Sequence, residues 1–160
     1  MNDNGKDITI TMLSGQVINM AVGLDIKYVY KVVSLPYLEP IPGSPDYLVG
    51  LMNLAGETIP VIDIALKLEM KRQQKYTLNT PIVIVELKNT KIAMLIDTVN
   101  EIIHVNQSEI NHHDLNNTMK QFSTIIVNNA FIHIIDMSYL DFMLKEVGLY
   151  YLGDKKKETV

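Results

Sequence analysis

A mainly β protein of one or two small lobes is what the sequence predicts, on three observations. Short apolar runs rich in Val, Ile and Thr recur along the chain, turn residues punctuate them, and only two brief stretches have helical spacing. Short strands joined by turns build small barrels, whereas a parallel sheet would need crossover helices between its strands. The 160 residues suffice for one domain or two very small ones. With 48% hydrophobic and 20% charged residues, the composition is that of a soluble globular chain and not of a disordered one.

The first element follows from alternation: Ile8, Ile10 and Met12 interleave with Thr9 and Thr11, and Ile18, Met20 and Val22 with Asn19 and Ala21. Ser14-Gly15 offers the turn, so a hairpin is expected there. Ile26, Val29, Val32 and Val33 form a less regular apolar stretch. Pro36, Pro40, Pro42 and Pro45 then impose an extended loop, since they propagate neither helix nor central strand. The run from Tyr47 to Ile64 is the most informative in the chain. Gly50 and Gly56 suit positive φ or close backbone approach, Asn53 suits a turn, and Pro60 marks the strand Thr58 to Ile62 as an edge strand. Asp63 stands where an N-cap would serve a short helix over Ile64 to Met70. Lys71 to Lys75 is polar throughout and reads as solvated linker.

Two more hairpins are expected in the second half. Ile82 to Leu87 and Ile92 to Ile96 flank Lys88-Asn89-Thr90, and Thr124 to Val127 and Phe131 to Ile135 flank Asn128-Asn129, whose asparagines tolerate left-handed geometry. Leu140, Met143, Leu144 and Val147 have helical spacing behind a Ser138 cap and predict one closing helix. Beyond it, residues 148–160 read as an extension that packs on the body and ends in a solvated tail.

Composition narrows the function. A formal charge of −4 disfavours a phosphate-backbone binder, and the absence of cysteine removes thiolate catalysis and the commonest zinc sites. No apolar run is long enough for a membrane-spanning helix, and Met1 to Asp7 lacks the regions of a secretion signal, so a cytoplasmic address is expected.

The chemistry-bearing residues have plain structural alternatives. Asp63, Asp97 and Asp136 each close an apolar strand, where a carboxylate caps a turn more often than it catalyses. His112-His113-Asp114 is the one local group resembling metal ligands, but adjacent imidazoles diverge and would need His104 or His133 to complete a site. His133, in an apolar run, reads as a hydrogen-bonded histidine in or beside the core. A metal-dependent hydrolase or metal sensor built from His104, His112, His113 and a carboxylate is thus an alternative of another class, and a nucleic-acid-binding barrel a third. Ile26, Val29, Val99, Ile102 and Ile103 either line a groove for a partner helix or fill the core; the residues alone favour core.

The run 48–64 resembles the signature of the CheW-like coupling proteins of bacterial chemotaxis, V-x-G-V-x-N-L-R-G-x-I-x-P-V-x-D-L. It shares the glycines at Gly50 and Gly56, Asn53, Pro60 and Asp63, and the order of elements follows the family from about Ile8 to Val147. Ala55 stands where the family carries arginine, Tyr28 where glutamate is frequent, and Ala93 where glycine is frequent.

The resemblance implies two packed five-stranded SH3-like barrels with short helices, including one at the C-terminus. It implies a single domain over 1–160 with lobes near 8–75 and 76–147, strands that can cross between them, and a C-terminal extension over 148–160. It also implies a non-enzymatic adaptor without catalytic residues, metal or cofactor. Such an adaptor couples a chemoreceptor's cytoplasmic helical hairpin to the regulatory domain of a CheA-type histidine kinase and is recruited to membrane receptor arrays without inserting into the membrane. The implied partner-binding positions are Ile26, Tyr28, Val29, Gly50, Asn53, Ala55, Gly56, Val99 and Ile102; of these, Ile26, Val99 and Ile102 match the family's receptor groove between the lobes, with Gly50 and Gly56 shaping the adjacent turn. A diverged paralogue serving another motility or two-component pathway is the related expectation, prompted by Ala55 and Tyr28.

Overall fold

Ten strands and two α-helices are set out in a computed structural model that describes residues 5–112 and 122–158. The strands are β1 (Thr9–Val17), β2 (Met20–Asp25), β3 (Val29–Ser34), β4 (Leu48–Leu54), β5 (Glu57–Asp63), β6 (Pro81–Leu87), β7 (Thr90–Leu95), β8 (Thr98–Asn106), β9 (Ser123–Val127) and β10 (Ala130–Ile134). The helices are α1 (Ile64–Lys67) and α2 (Met137–Glu158). Two five-stranded sheets result, ordered β8-β1-β2-β10-β9 and β3-β6-β7-β5-β4. The fold is mainly β, as the sequence predicts. The second sheet is one continuous stretch of chain, 29–95, whereas the first joins β1 and β2 to β8, β9 and β10.

All five strands of each sheet contribute to one small apolar cluster, as barrel-like curling requires. In the first sheet that cluster is Met12, Val105, Ile125, Ile132 and Ile134, with Ala21 packed against it; in the second it centres on Met52, Ile59, Val61, Ile82, Ile84 and Ala93, with Val33 packed against it. A third cluster lies between the sheets. Val17, Val22 and Leu24 from one meet Leu48, Ile62, Val83, Val85 and Met94 from the other, and Leu140, Met143 and Val147 of α2 close it. This explains the uninterrupted apolar run in β6: Ile82 and Ile84 face one core, Val83 and Val85 the other.

Three hairpin loops are two residues long with both residues at positive φ, the geometry whose twist matches the flanking strands. They are Ala55-Gly56, Lys88-Asn89 and Asn128-Asn129. The first hairpin differs from its expected form. Ser14-Gly15 lies inside β1, and the turn is Ile18-Asn19, between the paired residues Val17 and Met20. Gly15 is needed for another reason: at the register shift between β1 and β8, a Cβ there would lie 2.4 Å from the Thr98 carbonyl oxygen. The Ser14 hydroxyl fills the same irregularity by donating to the Glu101 carbonyl at 2.7 Å.

Four further expectations are corrected. β5 is an interior strand, not an edge; Pro60 is tolerated because pairing with β7 begins only at Val61, so that β4 alone lies beside Pro60. The cap of α2 is Asp136 and not Ser138, since its carboxylate accepts the Tyr139 N–H at 3.0 Å. Asp63 does cap α1, accepting the Leu66 N–H at 3.2 Å, but that helix ends at Lys67. Residues 71–75 are not uniformly solvated: the Arg72 side chain is largely buried and donates to both Asp63 and Asp97. Burial works against its charge, yet the hydrogen bonds to Asp63 and Asp97 raise the guanidinium above its ordinary value.

A second polar cluster fastens α2. Lys67 of α1 and the Tyr47 hydroxyl each donate to Glu146 at 2.7 Å, and the Lys67 ammonium lies 4.3 Å from the centre of the Tyr47 ring. Desolvation raises the Glu146 pKa, but the bonds from Lys67 and Tyr47 outweigh it and hold the carboxyl below its ordinary value.

Two outcomes follow from these contacts. Gly15→Ala should cost about 1–3 kcal/mol in urea unfolding, because backbone rather than a flexible side chain must give way. Glu146→Gln should cost roughly 1–2 kcal/mol at neutral pH. With a depressed folded pKa, the Glu146 contribution is present above the ordinary value of 4.5 and is lost as pH falls through the folded one, so wild type and variant should converge in stability under acid.

Candidate partner-binding surface

The nine sequence-predicted positions fall into two groups. The first surrounds a one-turn 3-10 helix, Ile26–Tyr28, which Asp25 caps by accepting the Lys27 N–H at 3.1 Å. This turn touches β1 in one sheet and β6 in the other, so it sits at the junction of the two. Tyr28 and Val29 are half-buried and pack on the inter-sheet cluster, while Ile26 is 37% exposed. From the other side, Val99 of β8 packs on that same cluster. Ile102 pairs with Leu13 of β1 and is 53% exposed. Leu13 also packs on the cluster, and sequence reasoning missed it because it lies where a turn was expected. The junction therefore has an apolar rim supplied by both sheets, with Ile26 and Ile102 facing solvent.

Gly50, Asn53, Ala55 and Gly56 form the second group, on the β4–β5 hairpin. Gly50 is buried, while Asn53, Ala55 and Gly56 are exposed. Gly50 has φ 153°, and a Cβ there would lie 2.8 Å from the Glu39 carbonyl oxygen, because Glu39 exchanges two backbone hydrogen bonds with Leu51. Asn53 accepts the Gly56 N–H at 3.1 Å and braces the turn. It also borders a cleft of about 290 Å³ lined by Pro36, Tyr37, Glu39, Leu51 and Thr58. Ala55, the departure from the signature, is exposed at φ 51°.

Other exposed apolar side chains were not singled out by sequence. Tyr30 and Val32 of β3 are 54% and 41% exposed, and the Lys91 ammonium lies 4.7 Å from the Tyr30 ring centre. Their two-residue spacing was the available signal, hidden because β3 was not recognised as a strand. Ile126 and Phe131 form an exposed cross-strand pair on β9 and β10.

The candidate chemical groups do not assemble. Among the described residues, no three His, Asp or Glu side chains converge as metal ligands; His113 and Asp114 lie outside the described residues. His104 is bonded to Thr11 at 3.1 Å. The His133 Nδ1 is buried without a hydrogen-bond partner. His112, Ser123 and Asp136 are linked in sequence, but the serine stands between the other two, at 3.1 Å from His112 Nδ1 and 3.4 Å from the Asp136 carboxylate. A nucleophilic serine needs the imidazole in that central position.

The fold defines a class: a twin-sheet, mainly β protein with exposed apolar side chains at the junction of its sheets. The sequence model of the CheW-like domain family matches residues 11–141, and the chain belongs to that family. It is similar to the "Chemotaxis protein CheW" of Bacillus subtilis (strain 168), 33% identical over 70 residues, which are 44% of this chain and 44% of the relative. It is also similar to the protein of the same name from Rhizobium meliloti (strain 1021), 31% identical over 71 residues, 44% of this chain and 45% of the relative. The chain thus spans about half the length of these curated relatives. The crystal structure of the scaffolding protein TtCheW from Thermoanaerobacter tengcongensis superposes with a TM-score of 0.73 at 24% identity, covering 86% of this chain and 90% of that one.

Ala55 supplies a test of the local geometry. An alanine at positive φ carries strain that glycine lacks, so Ala55→Gly should raise stability by about 0.5–1 kcal/mol in denaturant unfolding.

Proposed function

We propose that this protein is a non-enzymatic adaptor that couples a chemoreceptor's cytoplasmic helical hairpin to the regulatory domain of a CheA-type histidine kinase. Membership of the CheW-like family carries the reading, and the apolar rim at the sheet junction supports it. An amphipathic hairpin presents apolar side chains at helical spacing, and Ile26, Val99 and Ile102 offer a complementary surface for them. The β4–β5 hairpin and its cleft lie apart from this rim and suit the second partner. Holding one partner raises the effective concentration of the other, so two modest contacts on one rigid body build an ordered assembly. Signalling then requires only that the contacts discriminate between receptor states. The protein works in the cytoplasm and is recruited to receptor arrays. No helix among the described residues is long and apolar enough to cross a membrane, which fits attachment through partners.

A second reading, a paralogue serving another motility or two-component pathway, is favoured by Ala55. Its exposed turn position offers no side-chain donors where the family signature carries a guanidinium.

The test is isothermal titration of the purified protein with a receptor hairpin fragment and with the regulatory domain of each CheA-type kinase from the same source. Binding to both is expected, and binding to neither overturns the adaptor reading. Ile102→Asp should weaken the hairpin at least about tenfold, or 1.4 kcal/mol, while leaving kinase affinity and the thermal midpoint unchanged.

A further inference from the structure

Ile18 has φ 57°, a conformation that β-branched residues rarely adopt and that persists only where the surroundings impose it. The imposing group is distant in sequence: the Asp97 carboxylate accepts the Ile18 N–H. Asp97 lies in the two-residue link between β7 of one sheet and β8 of the other, and its own N–H is donated to the Gln16 carbonyl at 2.9 Å. Its second carboxylate oxygen accepts from Arg72.

Arg72 is anchored in turn. Its Nη2 donates to Asp63 Oδ1 at 2.9 Å and its Nε to Asp63 Oδ2, which also accepts from the Tyr76 hydroxyl. Asp63 is wholly buried at the end of β5, so its charge demands this guanidinium. One side chain thus ties the second sheet to the root of β8 and to the β1–β2 turn of the first. Val99 and Ile102 stand two and five residues beyond Asp97 on the strand so anchored.

We propose that Arg72 is a positioning residue for the partner surface: through Asp97 it fixes where β8 leaves the second sheet, and with it the placement of Val99 and Ile102 relative to the 3-10 turn carrying Ile26. The consequence for binding rests on the adaptor reading above, while the clamp itself does not.

Amide hydrogen exchange followed by NMR on the full chain, with titration of the receptor hairpin fragment, tests both parts. In Asp63→Asn/Arg72→Met, which removes the guanidinium without leaving a buried carboxylate unpaired, exchange at Ile18 and in β8 should accelerate at least about tenfold, whereas Val83 and Ile92 in the second sheet keep the rates they have in Asp63→Asn alone. Affinity for the fragment should fall at least about fivefold, and Arg72→Lys should restore part of both effects. Tyr76→Phe removes a donor to Asp63 without touching Asp97 and should leave Ile18 exchange unchanged. Uniform acceleration along the whole chain, or no change at Ile18, overturns the proposal. If the double variant does not fold, Asp97→Asn asks the same question, and wild-type exchange at Ile18 in that variant is equally fatal. Should wild type fail to bind the fragment, the adaptor reading falls, and the exchange pattern still decides whether Arg72 positions β8.

Discussion

A carboxylate with no solvent contact, Asp63, constrains much of this structure. An unpaired charge at such depth would be prohibitive, so a cation has to be brought to it, and the segment after α1 is shaped to deliver Arg72. Once there, the guanidinium has donors to spare, and its planar fork reaches Asp97 as well. The need to satisfy one buried acid in the second sheet thereby fastens the passage of the chain into the first. An apolar residue at 63 would have removed the need and also the connection.

Apolar packing does the rest of the joining. Each sheet curls on its own small core, and a third core between them is sealed by α2. Residues of both sheets pack into that shared cluster at the density of an ordinary core. In the proposed adaptor, that packing would hold two partners at a fixed spacing, which flexibly linked lobes could not do. The polar fastening of α2 by Lys67, Tyr47 and Glu146 adds orientation to that seal.

Much of this was legible in the chain. The β6–β7 and β9–β10 hairpins were readable because β-branched runs flank residues that accept left-handed backbone, and the family was readable from Gly50, Asn53, Gly56, Pro60 and Asp63. What escaped depends on groups remote in sequence. Ser14-Gly15 looks like the first turn because nothing local announces that an isoleucine will take positive φ; the acceptor that secures it is 79 positions away. Arg72 sits among polar neighbours and looks solvated until its two aspartates are placed around it. β8 is hard to read because an edge strand exposes much of its length, and Glu101 interrupts the alternation of Val99, Ile103 and Val105. The resemblance already set Ile26, Val99 and Ile102 together as groove positions; what the residues could not give is the register that pairs Ile102 with Leu13 and seats Val99 on the inter-sheet cluster.

The uneven origin of the two sheets has a consequence for how the chain comes to be folded. On the ribosome, the strands of the second sheet emerge together and can pair as soon as they are made, two of their four connections being two-residue turns. The β1–β2 hairpin, made first, must wait for three strands synthesised last. Until they arrive, its apolar faces and both of its hydrogen-bonding edges stand open, which makes this hairpin the segment most in need of chaperone cover during translation.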